Sequence, residues 1–143
     1  MIGTNTYLHF MGNAQEAFNF YKSVFGGEFK NIQHYKNLDS GKKMSPEDRE
    51  KLIHITLQIS DDISIMASDI LASMEMPFNA GNNFHICMHT ENEQEADRLF
   101  GALSAEGRID MPLNKTFWGA YFGMCLDKFG IQWMINFDNQ QAG

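Results

Sequence analysis

The chain has 143 residues, 43% hydrophobic and 20% charged, which fits one globular domain and excludes a disordered segment. A formal net charge of −7 and a pI near 5.1 argue against a nucleic-acid groove or an anionic membrane surface as partner. No apolar run approaches the roughly 18 residues of a membrane span and the first residues lack a charged leader region, while two cysteines, Cys87 and Cys125, make no disulfide framework, so a reduced, cytoplasmic setting is expected.

Residues 4–10 read as a strand. From Asn13 the period changes. Ala17, Phe20, Tyr21 and Val24 recur at i, i+3, i+4 and i+7, the buried stripe of an amphipathic helix. Asn13 stands at its N-cap with Glu16 three residues on, and Gly26-Gly27 stops it. A strand follows over 28–36. The polar stretch 36–51 holds five of the 11 basic residues and reads as a solvated excursion or a lid. Inside it, Ser45-Pro46-Glu47-Asp48-Arg49 looks like the cap and first turn of a short helix. Strands over 52–60 and 63–68 are joined by Asp61-Asp62 and are therefore antiparallel. Residues 70–81, broken by Pro77, form a linker.

The same order then returns. A strand over 83–90 leads to a helix capped by Asn92 and Glu95, with Ala96, Leu99, Phe100 and Leu103 as its stripe and Gly107 as its stop. A short strand near 108–111 follows, then strands over 117–126 and 131–137 joined by Asp127-Lys128-Phe129-Gly130. The two helices lie 79 residues apart, with Asn, Gln, Glu and Ala in register. The chain thus reads as α+β, a single domain over 1–143 built from tandem βαβββ modules at 1–69 and 82–143.

Four strings now carry a resemblance: Tyr7-Leu-His-Phe-Met-Gly-Asn-Ala-Gln-Glu-Ala-Phe-Asn-Phe-Tyr21, Ile65-Met-Ala-Ser-Asp69, Thr116-Phe-Trp-Gly119 and Asp127-Lys-Phe-Gly-Ile-Gln-Trp-Met-Ile-Asn136. In these the chain resembles the PhnB-like branch of the vicinal-oxygen-chelate superfamily, which holds glyoxalase I, bleomycin-resistance proteins and extradiol dioxygenases. The resemblance implies curved sheets, each with a concave cleft, and commonly a homodimer. It implies no single activity. Some sequences of this type carry a ubiquinone-pathway methyltransferase label, but the chain has no glycine-rich turn and no parallel nucleotide-binding sheet for a methyl donor.

Metal-dependent members take His or Glu ligands from the first and last strand of each module. The resemblance puts those positions at Thr6 and His85, which the 79-residue helix offset also pairs, and at Met66 and Met134 in the middle of the last strands. Only His85 is a ligand for a hard or borderline divalent cation, because thioethers are soft and weak donors. No glyoxalase-type metal site and no cofactor are expected. The alternative is a metal held by His54 and His85 in a lyase, isomerase or dioxygenase.

Strand alternation sends Ile53, Ile55, Leu57 and Ile59 to one face and His54, Thr56 and Gln58 to the other. The second face is expected to line the cleft together with Thr6, Ser64, Met66, Ser68, His85, Cys87, His89, Gln132, Met134 and Asn136. His9 then faces away, and His34 is solvated on an edge strand. Asp69 starts a turn or stands at the pocket rim. Cys87 is a small apolar residue or a nucleophile, and Trp133 belongs to the core or the module interface. Trp118 offers a surface for a planar ligand. The expected function is metal-free binding of a small molecule by a homodimer, through His54, Gln58, Met66, Asp69, His85, Cys87, Trp118, Phe122 and Met134.

Overall fold

Each half of the chain buries the residues that its local spacing singles out. The computed structural model describes residues 1–38 and 43–138; residues 39–42, within the expected polar excursion, lie outside it. The chain divides into two compact units, Met1–Pro77 and Phe78–Gly143. In the first, β1 (Thr6–Phe10), α1 (Ala14–Phe25), β2 (Glu28–His34), α2 (Pro46–Arg49), β3 (Leu52–Gln58) and β4 (Ser64–Asp69) follow in order. In the second come β5 (Ile86–His89), α3 (Glu93–Ser104), β6 (Arg108–Lys115), β7 (Ala120–Leu126) and β8 (Gln132–Asp138).

The sheets are built alike. The first has the order β1-β4-β3-β2 and the second β5-β8-β7-β6. In each, the first and last strands of the unit pair in parallel and the other neighbours are antiparallel. This is the α+β arrangement of two βαβββ modules.

Helix α1 buries Ala14, Ala17, Phe18, Tyr21 and Val24 against β3 and β4. The expected stripe is thus corrected at one place: Phe18, not Phe20, is fully buried, edge-on to Phe10 and to Tyr21 at 6.3 and 5.6 Å. The stripe of α3, Ala96, Leu99, Phe100 and Leu103, is buried as its spacing predicts. Each large apolar side chain removed from water contributes about 1.5–3 kcal/mol. Trp133 and Ile135 lie at the centre of the second core with no exposed surface. The short helix over Pro46–Arg49 forms, with Ser45 Oγ accepting from the Asp48 N–H.

Several strand ends differ from the expectation. β2 stops at His34, where a 3-10 turn over Tyr35–Asn37 begins, and His34 Nδ1 lies 2.9 Å from the Glu50 carbonyl oxygen. β6 runs on through Pro112 to Lys115. An edge strand tolerates proline, and two register shifts, between Ile109 and Met111 and between Met111 and Asn114, absorb it. β7 starts only at Ala120, because residues 116–119 close a turn in which Thr116 Oγ1 accepts from the Ala120 N–H.

The two glycines after the helices are required by close approach. A Cβ on Gly27 would stand 2.3 Å from the Gln58 carbonyl oxygen, and one on Gly107 2.1 Å from that of Leu126. In the second unit, Tyr121 donates its hydroxyl to the Asp97 carboxylate on α3. That hydrogen bond first, then burial and the Asp97 charge, push the phenol up to about 12. A phenol raised above its unfolded value of about 10 stabilises the fold at lower pH and loses that contribution as pH rises through the folded value. Absorbance titration of D97N is expected to bring Tyr121 back toward 10; an unchanged titration curve would refute the coupling.

Candidate functional site

In each unit the helix covers one sheet face, and the residues of interest project from the other. In the first unit, register decides which they are. Thr6 pairs with Ile65, Tyr7 with Met66, and His9 with Ser68. Parallel partners share a face, so Thr6 lies with the buried Ile65 on the helix side, whereas Tyr7 and His9 join Met66 and Ser68 on the open side. This corrects two expectations at once: Thr6 does not line the open face, and His9 does. The cause is a one-residue difference between the units. Tyr7 corresponds to Cys87, each pairing with the mid-strand methionine, Met66 or Met134. That offset is 80, against 79 for the helices, because the chain from Tyr7 to the N-cap Asn13 is one residue longer than that from Cys87 to the N-cap Asn92. A slip of one residue moves a whole strand's side chains to the other face.

On this open face His54 lies between two hydroxyls. Its Nδ1 is 3.0 Å from Tyr7 Oη and its Nε2 is 2.7 Å from Thr56 Oγ1. The Tyr7 ring stands between two imidazoles, 5.4 Å from His9 and 5.6 Å from His54. His9 Nδ1 is 3.1 Å from Ser68 Oγ. Met66 shares a cross-strand row with Tyr7 on one side and Thr56 on the other, so its thioether is an apolar element among these polar groups. Gln58 lies on the same face, but its amide donates to the Ser60 carbonyl at 2.6 Å. Sequence reasoning named His54 and Met66 and missed Tyr7 and His9.

Asp69 has another task. It is 2% exposed and follows Ile65 and Ala67 on the helix side of β4. Its Oδ1 accepts from the N–H groups of Gly12 and Ala14 at 3.1 and 2.9 Å, and its Oδ2 from that of Leu52 at 2.9 Å. The carboxylate therefore serves the start of α1, where Asn13 makes no side-chain cap bond. Asn92 does cap α3, accepting from the Glu95 N–H at 2.7 Å. The buried Tyr35 hydroxyl donates to the Asp69 carbonyl at 2.9 Å, and burial chiefly, with the Asp69 charge, pushes that phenol up.

On the open face of the second unit, Cys87 pairs with Met134 and His89 with Asn136, while Phe122 and Met124 pair with Asn136 and Met134. Asn136 Nδ2 donates to His89 Nδ1 at 3.2 Å, which leaves the ring proton on Nε2, 3.8 Å from Cys87 Sγ. A protonated nitrogen is no base for the thiol, and burial pushes the Cys87 thiol up. Nucleophilic activation is thus disfavoured. Beside this face, Trp118 is 54% exposed and Phe117 98%. Trp118 packs edge-on to Phe117 at 5.0 Å and tilted against Phe122 at 6.3 Å. His85 immediately precedes β5, and its Nε2 is buried with no hydrogen-bond partner among the described residues.

The donors within each unit do not fit a divalent cation. Both ring nitrogens of His54 face hydroxyls, the last strands offer thioethers, and the Asp69 oxygens accept backbone N–H groups. Among the described residues no three His, Cys, Asp or Glu side chains are grouped to hold a metal.

Comparison with known proteins follows the fold closely. A model of the family described as 3-demethylubiquinone-9 3-methyltransferase matches residues 3–136. Protein YjdN of Escherichia coli K12 is 32% identical over 143 residues, which covers 94% of this chain and 95% of that protein. Protein PA1353 from Pseudomonas aeruginosa superposes with a TM-score of 0.83 at 32% identity over 96% of this chain and 98% of its own. A putative 3-demethylubiquinone-9 3-methyltransferase, PhnB protein, from Bacillus cereus does so with 0.74 at 29% identity, over 94% and 98%. The same fold, at 19% identity and a TM-score of 0.58 over 94% and 98%, occurs in a glyoxalase/bleomycin resistance protein/dioxygenase family enzyme from Burkholderia phytofirmans.

Proposed function

We propose that this chain, which belongs to the 3-demethylubiquinone-9 3-methyltransferase family and to the PhnB-like branch of the glyoxalase/bleomycin-resistance-like superfamily, binds a small molecule on its open sheet faces without a divalent metal. The observation that carries this reading is what those faces present. A sheet face left bare to water is ordinarily covered by charged and hydroxyl side chains. These faces instead hold aromatic, imidazole and thioether groups: Tyr7, His9, His54 and Met66 in one unit, and His89, Phe122, Met134 and the neighbouring Trp118 in the other. Apolar surface with a few hydrogen-bonding groups is the usual composition of a small-molecule site. His85 and Cys87 belong to the second unit's set; Asp69 is left out, because its carboxylate is engaged with the backbone. A homodimer is part of the reading.

Methyl transfer is not. A methyl-donor site of the doubly wound kind requires a largely parallel sheet with a glycine-rich turn, whereas each sheet here has one parallel pair and two antiparallel ones. A metal-dependent lyase, isomerase or dioxygenase built on His54 and His85 is disfavoured by the engaged nitrogens of His54.

Titration with an anilinonaphthalene sulfonate probe tests the binding reading. Saturable binding is expected, and W118A is expected to weaken it roughly tenfold, the order of one aromatic pair of ~1.5 kcal/mol. Unsaturable binding that W118A leaves unchanged would argue against a site. Calorimetric titration with zinc, nickel, manganese and iron(II) is expected to give no stoichiometric sub-micromolar binding; finding it would overturn the metal-free reading.

A further inference from the structure

We propose that Tyr7, His54 and Thr56 form a proton relay that accepts the hydroxyl proton of a planar phenol or enol bound on the open face of the first unit. This rests on the reading of that face as a binding surface, and it names the class of ligand.

The three groups form a line from solvent inward. Tyr7 is 41% exposed and Thr56 3%, with His54 between them at 3.0 and 2.7 Å. Of the two proton arrangements these distances allow, one leaves an acceptor where a ligand can reach it. The His54 Nε2–H donates to Thr56 Oγ1, and Nδ1 accepts from the Tyr7 hydroxyl. The phenolic oxygen of Tyr7 then has its lone pairs turned outward. A hydroxyl arriving there donates to a phenol that is already polarised by an imidazole behind it.

Transfer then needs no other reactant. The ligand O–H bond breaks and its electron pair stays on the ligand oxygen. That proton forms a new O–H bond on Tyr7 as the original Tyr7 proton moves to His54 Nδ1. Tyr7 ends neutral, His54 becomes an imidazolium, and its Nε2–H to Thr56 becomes a charge-assisted bond. The ligand is held as its oxyanion beside this cation.

The surroundings define the ligand. The ring of Tyr7, tilted at 42° and 45° to those of His9 and His54, and the Met66 thioether in the same row offer flat and polarisable contacts rather than charged ones. The ionisable groups on this face around His54 are Tyr7 and His9 from β1 and Lys30 from β2, which stands in the row of Thr56. The carboxylate on the same sheet face, Glu28, stands in the row of Gln58 at the far end of β3 from His54 and pairs with Lys22 at 3.9 Å. An acidic O–H on a conjugated, planar skeleton fits this set, because its anion is delocalised and gains from nearby cations. A sugar hydroxyl, which is not acidic enough to yield its proton to an imidazole, does not.

The test uses the whole chain and 4-nitrophenol, whose phenolate and phenol absorb differently. At a pH one unit below the free phenol's own pKa, binding is expected to raise the phenolate band. Calorimetry in two buffers of different ionisation heat is expected to show no net proton release, because His54 retains the proton. Y7F removes only an exposed hydroxyl and H54Q the acceptor. Each is expected to lower the bound phenolate-to-phenol ratio about tenfold, the equivalent of one pKa unit, and to weaken binding by no more than that loss of ionisation accounts for. Should H54Q fail to fold, Y7F alone decides. Binding of the probe as the neutral phenol overturns the relay and leaves the binding reading standing. Ionisation that Y7F does not change overturns the relay too. Absence of any binding overturns both.

Discussion

Replacing Asp69 with alanine is expected to destabilise the protein by about 3–5 kcal/mol, the order seen when a buried charge-assisted hydrogen-bond set loses its acceptor. Gly12, Ala14 and Leu52 would each keep an N–H that this carboxylate now accepts at 2.9–3.1 Å. The first two lie at the entry to α1 and the third at the start of β3, so one side chain ties the helix to two strands. D69N retains one carbonyl oxygen but turns an amide N–H₂ toward one of the donors, and most of the loss is expected to remain. Urea unfolding followed by circular dichroism reads the difference directly. A loss below about 1 kcal/mol for D69A would mean that water or a neighbouring group replaces the carboxylate.

The second large effect is expected at Trp133. It has no exposed surface, and its indole Nε1–H donates to Asp127 Oδ2 at 2.8 Å. The other carboxylate oxygen accepts from Phe129 and Ile131 N–H at 2.7 and 3.1 Å, which fixes the turn between β7 and β8. Truncation to alanine removes the largest side chain of that core and should cost about 3–5 kcal/mol. W133F keeps much of the volume and takes one donor away from Asp127, so a smaller loss of about 1–3 kcal/mol is expected. A double-mutant cycle with D127N separates the two contributions. Complete additivity of the pair would show that the indole-to-carboxylate bond contributes nothing beyond packing.

Much of this molecule is legible in local spacing. The stripe of α3 is buried as the i, i+3, i+4, i+7 pattern predicts. Likewise, the alternation along β3 correctly separates Ile55 and Leu57 from His54 and Thr56. Asp61-Asp62 and Asp127-Lys128-Phe129-Gly130 mark hairpins that do form. The candidate site was legible only where a strand's own alternation was unambiguous, and so His54, Met66, Cys87 and Met134 were placed on open faces. Asp69 carries a signal of its own: it continues the buried row of Ile65 and Ala67, and a carboxylate in such a row needs N–H donors. The caps show the limit from the other side. Asn13 and Asn92 stand in like sequence contexts, yet only Asn92 caps through its side chain, because in the first unit a carboxylate from the end of β4 reaches the helix start.

The amino-acid sequence by itself determined the two helices, the hairpins and the order of elements, because each depends on neighbours within a few residues. Only the tertiary structure decided which way β1 faces, and with it whether Tyr7 and His9 or Thr6 stand on the open surface. β1 is a short strand whose partner, β4, lies some 59 residues away. Pairing across that separation sets the register that buries Leu8 and Phe10, and one extra residue between Tyr7 and the α1 N-cap turns every β1 side chain to the face opposite the one the helix offset implies.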